Sequence, residues 1–449
     1  MRILHLLPMC LLPLLANSQE LTRYQIHQDL SFLREAIKQY QPSVERYNPR
    51  FQRETQELLK HLPDTMSLRQ EYKYISRMCA LANLGQIRIG HNEDALQGSL
   101  SQNRQPYLPL RVRIVEGQVV VWQDLSAEQQ VPRGSRLLSI NGYSISDIVN
   151  TLAAYLPTDG KITTSAYRKI ERDFGQLYAL YIQQPSHFII DYLDLKGQRQ
   201  RADLWGLPHN QQLDYRKYRY RQNLQTAATT DDFYQLEFHP KYIYLRLHTF
   251  DQGLINELRL KPRRFYKELF AKIDEQRRPA LLIDLRGNPG GNSDFADEMI
   301  PYIIRGVPPH EHYKTTTADG KRKVHKLPNK KKHAYSGRVY VLIDGGTYAS
   351  AAALGRYLYE YNLARIVGEE AGSRYEGFAS GPYEQITLPH SKIQVGIPGT
   401  YTSFPESALQ VTNNRGLMPD IPCAPTLRGL VYGNDGMLAT AVQVVKERR

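Results

Sequence analysis

The stretch from Val339 to Leu358 limits what this chain can fold into more tightly than any other. Val339 to Ile343 is rich in β-branched residues and closes on Asp344-Gly345-Gly346, the pattern of a buried strand ending in a turn. From Ala349 the chain turns Ala-rich with apolar residues at helical spacing, so a helix is expected to start there. Ser350 then lies on the first turn of a helix that follows a strand. A hydroxyl so placed can face a crevice, where free N–H groups of the turn meet a developing negative charge. The plainer reading is that Ser350 simply caps the helix.

A second segment of the same build bears on that choice. Leu281 to Leu285 reads as a strand, and Asp284-Leu285-Arg286-Gly287-Asn288-Pro289-Gly290-Gly291 joins it to a helix over Asp294 to Ile304. Adjacent glycines let backbone N–H groups approach a ligand with no Cβ in the way. No Lys-Ser/Thr pair follows, so this is not a phosphate loop. An ordinary Gly-rich turn is the bland alternative. With the Ser350 unit present, an oxyanion site fits better, with one N–H from Gly290 or Gly291 and another from Ala351.

A chain of 449 residues predicts two to four domains at roughly 100–200 residues each. Arg2, the apolar run from Ile3 to Leu15, and Ala16-Asn17-Ser18 give residues 1–18 the build of a signal peptide, too short to span a membrane. Leu7-Pro8-Met9-Cys10 lacks the small residues expected before a lipidated cysteine. A periplasmic or secreted protein is therefore expected, with no membrane span beyond the leader. The remaining cysteines, Cys79 and Cys423, are expected to be isolated, mostly buried thiols. No metal-ligand spacing such as His-Glu-x-x-His or Cys-x-x-Cys occurs, and no metal or cofactor is expected.

The formal charge is +13, with basic runs at Lys321 to Lys326 and Lys330 to His333. Nucleic acid is not an expected partner of an exported protein. A solvated loop is the simplest reading, and an anionic surface or a substrate carboxylate are the alternatives.

Residues 19–105 read as a helical cap, from Tyr24, Ile26, Leu30, Leu33 and Ile37 at mostly helical spacing, with Ser67 a plausible cap for a later helix. This cap ends in Gly90-His91. His91 is either a structural loop residue or a candidate general base. Residues 106–205 predict a hairpin around Glu116-Gly117, a strand, a tight Asn141-Gly142 turn, a helix capped by Ser144 and a closing strand. That order resembles a PDZ domain, which takes extended peptides at a sheet edge; a small β-rich domain without a ligand is the alternative. Residues 206–235 read as a polar, Arg/Tyr-rich linker. Over 236–449 strands alternate with helices, with Pro262 marking a break or a first turn and Asp435 a possible cap, which argues for an α/β core.

Taken together and in this order, these segments resemble the tail-specific (C-terminal-processing) serine peptidase family, which includes the tricorn core. The helical cap, the Gly90-His91 loop, the PDZ-like module, the Asp284 to Gly291 segment and the Ser350 helix carry the resemblance. Val367-Gly368-Glu369-Glu370-Ala371-Gly372 and Gly416-Leu417-Met418-Pro419-Asp420-Ile421 extend it. It implies an α/β, crotonase-like (ClpP/crotonase) core with an N-terminal helical cap and an inserted PDZ-like domain. It also implies hydrolysis of peptide bonds in extended polypeptide substrates. One layout of that family is a Ser-Lys dyad, but Arg374 and Tyr375 stand where the lysine belongs, and Arg cannot act as a base. The other resembles tricorn, with His91 in the position of the histidine that activates Ser350. Two departures concern the groups that orient it. Ile89 stands where an acidic residue usually precedes Gly-His, and Asn413-Asn414 where a supporting carboxylate falls. His248 is the alternative base. A homologue that binds peptides or apolar ligands without cutting, and an anion-binding surface protein driven by the 321–333 loop, are the rival functions.

Overall fold

The computed structural model describes residues 20–90, 106–220, 228–305, 311–327, 329–407, 409 and 414–447. The segment 1–18, expected to be a leader, and His91 lie outside the described residues. Among the described residues are three larger sheets, one of them forming an antiparallel module, and a two-stranded ribbon, with helices between them.

The strands expected around the two glycine-rich turns are neighbours in the central six-stranded sheet. Its order is Tyr234–Phe238, Ile243–Leu247, Ala280–Asp284, Arg338–Ile343, Ala364–Gly368 and Ile421–Pro422. All pairs are parallel except the first. Ala280 pairs with Arg338 and Asp284 with Leu342, so both turns leave the same edge of the sheet. Alternate side chains serve opposite faces. Leu281, Ile283, Val341 and Ile343 pack with the helices Pro262–Gln276 and Ala349–Glu360. Leu282, Tyr340, Leu342 and Val367 pack against the C-terminal helix Gly436–Glu447 through Ala441 and Val445. The central strands are largely apolar because both faces are covered.

Pro262 opens its helix, after a shorter one at Gln252–Glu257. The expected helix over Asp294 to Ile304 is a single turn, Ser293–Asp297, followed by a 3₁₀ turn at Ile300–Tyr302, where Pro301 prevents a continuous ladder.

A second sheet runs Arg322–His325, Tyr313–Thr317, Gln394–Ser403, Gly377–Thr387, and the short strand Arg88–Ile89 joins it beside Val395 and Gly396. The stretch from Lys321 to Lys326 is thus the edge strand of a hairpin and not only a loop. Thr315 and Thr316 pair with Lys323 and Arg322, and the strand leaves its charged side chains in water.

In the cap, Arg23–Tyr40, Phe51–Lys60 and Leu68–Leu81 are helices, and Ser67 caps the third with a complete capping box to Gln70. Residues 107–205 hold the expected hairpin, Leu110–Val115 with Gln118–Asp124, then Arg136–Ile140, His187–Leu193 and Arg199–Trp205. Ser144 caps the helix Ile145–Tyr155, and a longer one, Thr163–Tyr181, follows. The cap, this module and the strands near residues 379–397 share one continuous apolar core that includes Ile37, Ile75, Val112, Phe174 and Val395. Part of the stretch expected as a linker is instead a helix, His209–Tyr220, which buries none of its side chains.

Candidate active site

Asp344 ties the two glycine-rich turns to each other. Its Oδ1 accepts the N–H of Gly346 at 2.9 Å and that of Gly287 at 2.8 Å, across the gap between neighbouring strands. Thr347 adds a second tie, its hydroxyl donating to the Leu285 carbonyl at 2.9 Å, and the Tyr348 N–H donates to the Asn288 carbonyl at 2.9 Å. The turns can cross this closely because of their glycines. Gly290 has φ +81°, and a Cβ there would stand 2.6 Å from the Tyr348 carbonyl and 2.9 Å from the Ser350 nitrogen. Gly290 and Ser350 are therefore adjacent, as the order of the two segments implied.

Ser350 is the second residue of the Ala349–Glu360 helix, and the cap position belongs to Tyr348, which makes no side-chain capping bond. Ser350 is therefore not a cap. Its hydroxyl is buried, 2% exposed for the residue, with no hydrogen-bond partner among the described residues. A buried hydroxyl left unpaired requires an explanation, because such groups are nearly always satisfied. Ala349, just before it, takes a left-handed backbone with φ 46° and donates its N–H to the Ser373 hydroxyl at 2.7 Å. Non-glycine residues are uncommon in that region.

The N–H groups around the serine are divided. That of Gly290 is spent on Asn288 Oδ1 at 2.9 Å, and that of Ala351 on the Tyr348 carbonyl at 3.0 Å. Those of Gly291 and of Ser350 itself have no acceptor among the described residues. Gly291 lies beside Phe250, whose N–H donates to the Gly290 carbonyl.

His91 lies outside the described residues, but the strand leading to it is fixed. The Gly90 N–H donates to the Gln394 carbonyl at 2.7 Å. Upstream, the Gly85 N–H donates to Asp159 Oδ1 at 2.8 Å, and Asp159 Oδ2 accepts the Arg374 N–H at 3.4 Å. Gly85 packs on the Tyr348 ring, and the buried Arg374 guanidinium lies 3.9 Å over Tyr47 and donates to the Asn83 carbonyl. The cap, the 159 turn and the Ser350 turn thus meet at one buried polar cluster. His248, the alternative base, is half-buried, and burial and then the Arg246 charge hold its pKa below the usual value.

A cleft of about 730 Å³ opens between the module and the central sheet. Gly287, Pro289, Gly346 and Tyr348 line it on the core side, and Arg113, Trp122 and Arg133 on the module side. Ser350 is not among its lining residues. Arg168 spans the cleft, with hydrogen bonds to Glu171 at 2.7 Å and Glu369 at 2.7 Å and an approach of 3.9 Å to Asp344. Lys169 also lines the cleft; burial brings its pKa down to about 8, and it donates to the carbonyls of Gly85 and Pro157. Neither residue was conspicuous in the sequence, because a basic pair inside a polar helix looks like any solvated face. Arg286 donates to both Asp284 and Asp435. Asp284 stays ionised although burial raises its pKa, because the Arg286 hydrogen bonds and charge outweigh that rise.

Comparison with known proteins places this arrangement. Residues 241–423, which include both glycine-rich turns and the Ser350 helix, match the model of peptidase family S41. The structure of mature CPAF complexed with lactacystin is similar over 94% of this chain and 98% of that chain, with a TM-score of 0.66 at 14% identity. Mature CPAF alone gives a TM-score of 0.64 at 14% identity, covering 94% of this chain and 97% of that one. At such identity the likeness is one of fold, a mixed α/β fold with several sheets. No curated protein matches the sequence.

Proposed function

We propose, from the match of residues 241–423 to the model of peptidase family S41, that the chain is an exported serine endopeptidase acting on extended polypeptides. Ser350 is the nucleophile and His91 its general base. The observation that carries this reading is the unpaired Ser350 hydroxyl on a helical first turn, against the Gly290 backbone. Attack of Oγ on a peptide carbonyl forms a tetrahedral adduct as His91 takes the hydroxyl proton. The N–H groups of Gly291 and Ser350 serve the oxyanion, since those of Gly290 and Ala351 already have acceptors. The imidazolium then gives its proton to the leaving amine, and water releases the acyl group.

In this reading the core is crotonase-like and the 106–205 module PDZ-like, presenting substrate along the cleft. The strand order and the helix placement of that module support it. Two observations favour a second reading, a weak or inactive homologue that holds peptides: Asn414 stands where a supporting carboxylate is expected, and the serine is nearly closed off.

The test is digestion of an unstructured polypeptide by the purified protein and by its Ser350→Ala and His91→Ala variants. Cleavage by the native protein and at least about a thousandfold loss in each variant is expected. Equal cleavage by Ser350→Ala removes Ser350 from the mechanism. An unaffected His91→Ala points to another base such as His248.

A further inference from the structure

The cleft beside the Ser350 turn is more cationic than the chain as a whole. Its lining carries eight arginines and lysines against three carboxylates, whereas the chain has 58 against 45. Most of the excess is neutralised locally. Arg113 and Arg168 share Glu171, Arg172 pairs with Asp173, and Arg286 takes both Asp284 and Asp435. Three arginines of the lining, Arg88, Arg133 and Arg246, make no ion pair within 4.0 Å among the described residues, although the Arg246 charge is felt by Asp284 and Asp435.

Arg246 is the informative one. It sits on the Ile243–Leu247 strand in register with Asp284, next to the first glycine-rich turn. Asp284 cannot serve it. One carboxylate oxygen accepts the Arg286 N–H and Nε, and the other accepts the Tyr244 hydroxyl and Arg286 Nη2. Arg246 Nε is left buried and without a hydrogen-bond partner. A buried guanidinium nitrogen in that condition is costly unless something else completes it. Arg88 is steadied by stacking 4.3 Å over Tyr383, and Arg133 is exposed at the module side of the same cleft.

We propose that this cleft selects carboxylate-bearing polypeptides, with Arg246 and Arg133 as the residues that determine the preference. The proposal rests on the peptidase reading of the same site. A guanidinium fork matches a carboxylate in two parallel hydrogen bonds, and a cleft of one charge sign concentrates ligands of the other. The carboxylates are those of Asp and Glu side chains, not the free C-terminus that every polypeptide carries.

The test uses the Ser350→Ala protein, which needs no turnover, and fluorescence anisotropy with labelled flexible peptides rich in Asp and Glu. Each has an Asn/Gln twin, and each is made with a free and an amidated C-terminus. The acidic peptide is expected to bind about tenfold tighter than its twin, since a charge-assisted hydrogen bond is worth that much. The margin shrinks in Arg246→Gln and with added salt. Retention of the margin in the amidated pair assigns it to side chains. A loss of affinity on amidation that is the same for acidic and neutral peptides, with no margin between them, overturns it. Arg133→Gln, at an exposed site, gives the same reading should Arg246→Gln fail to fold. Binding of all four peptides within twofold of one another, or an undiminished margin in both arginine variants, overturns the proposal. Because binding is read without cleavage, an inactive enzyme leaves this result intact and fails only the digestion test above.

Discussion

The Ala349 N–H donates to the Ser373 hydroxyl at 2.7 Å, and this bond holds a left-handed alanine immediately before Ser350. Ser373 is itself buried, between the tightly packed Gly372 and the buried Arg374. The backbone turn that aims Ser350 is therefore held from the segment after the Ala364–Gly368 strand and not only from within its own helix.

Ser373→Ala removes that acceptor and leaves a partly buried N–H unpaired, a cost of about 1–3 kcal/mol. Polypeptide cleavage is expected to lose about tenfold in kcat with KM little changed, because the nucleophile is misaimed while the cleft is untouched. Steady-state kinetics on one quenched peptide checks the split.

Gly290→Ala is the harsher change. The left-handed backbone costs an alanine about 1–2 kcal/mol, and its Cβ meets backbone atoms at 2.6 and 2.9 Å. The turn must move away from Ser350. Activity is expected to fall about a hundredfold or more, while circular dichroism still reports a folded chain.

Arg168→Ala leaves Glu369 without its partner and Glu171 with Arg113 alone. Breaking a buried ion pair from one side costs about 3–5 kcal/mol. Because Arg168 joins the 163–181 helix to the 344 and 369 turns, the module should loosen first. Limited proteolysis between residues 106 and 205, at a temperature where the native chain resists, is the readout.

Glu71 sets a pH dependence of stability. Its carboxyl is fully buried, and burial, then the charge of Asp29 and a hydrogen bond with it, push its pKa up to about 9. Asp29 accepts the Ser391 hydroxyl and the N–H groups of His390 and Ser391. The folded chain keeps a proton that the unfolded chain releases above its ordinary value of 4.5, so stability falls as pH rises from there towards 9. Glu71→Gln is expected to flatten that fall in denaturant titrations across the window.

Much of the site was legible because it is local. The run from Val339 to Ile343, the glycines that follow it and the Ala-rich helix each carry their own signal, and so does the Asp284 to Gly291 turn. The caps at Ser67 and Ser144 were legible for the same reason, as is Asp435, which accepts the Leu438 N–H. What sequence could not supply was contact across long separations. Nothing local marks Asp344 as the acceptor for Gly287, or Arg374 as a guanidinium buried on Tyr47. The division of N–H groups among Gly290, Gly291, Ser350 and Ala351 depends on angles within two turns, which residue types alone leave open. The basic stretch at 321–326 read as a loop because its charges are solvated. Strand pairing with 313–317 uses only its backbone and leaves no trace in hydropathy.

The central claim is that Ser350 is a nucleophile, and covalent labelling tests it most directly. The purified protein is incubated with a fluorophosphonate, digested, and the adduct located by mass spectrometry. Stoichiometric modification at Ser350, abolished in His91→Ala, is the expected result. An unmodified Ser350 in protein that nevertheless cleaves polypeptide, or labelling confined to another serine, would contradict the account.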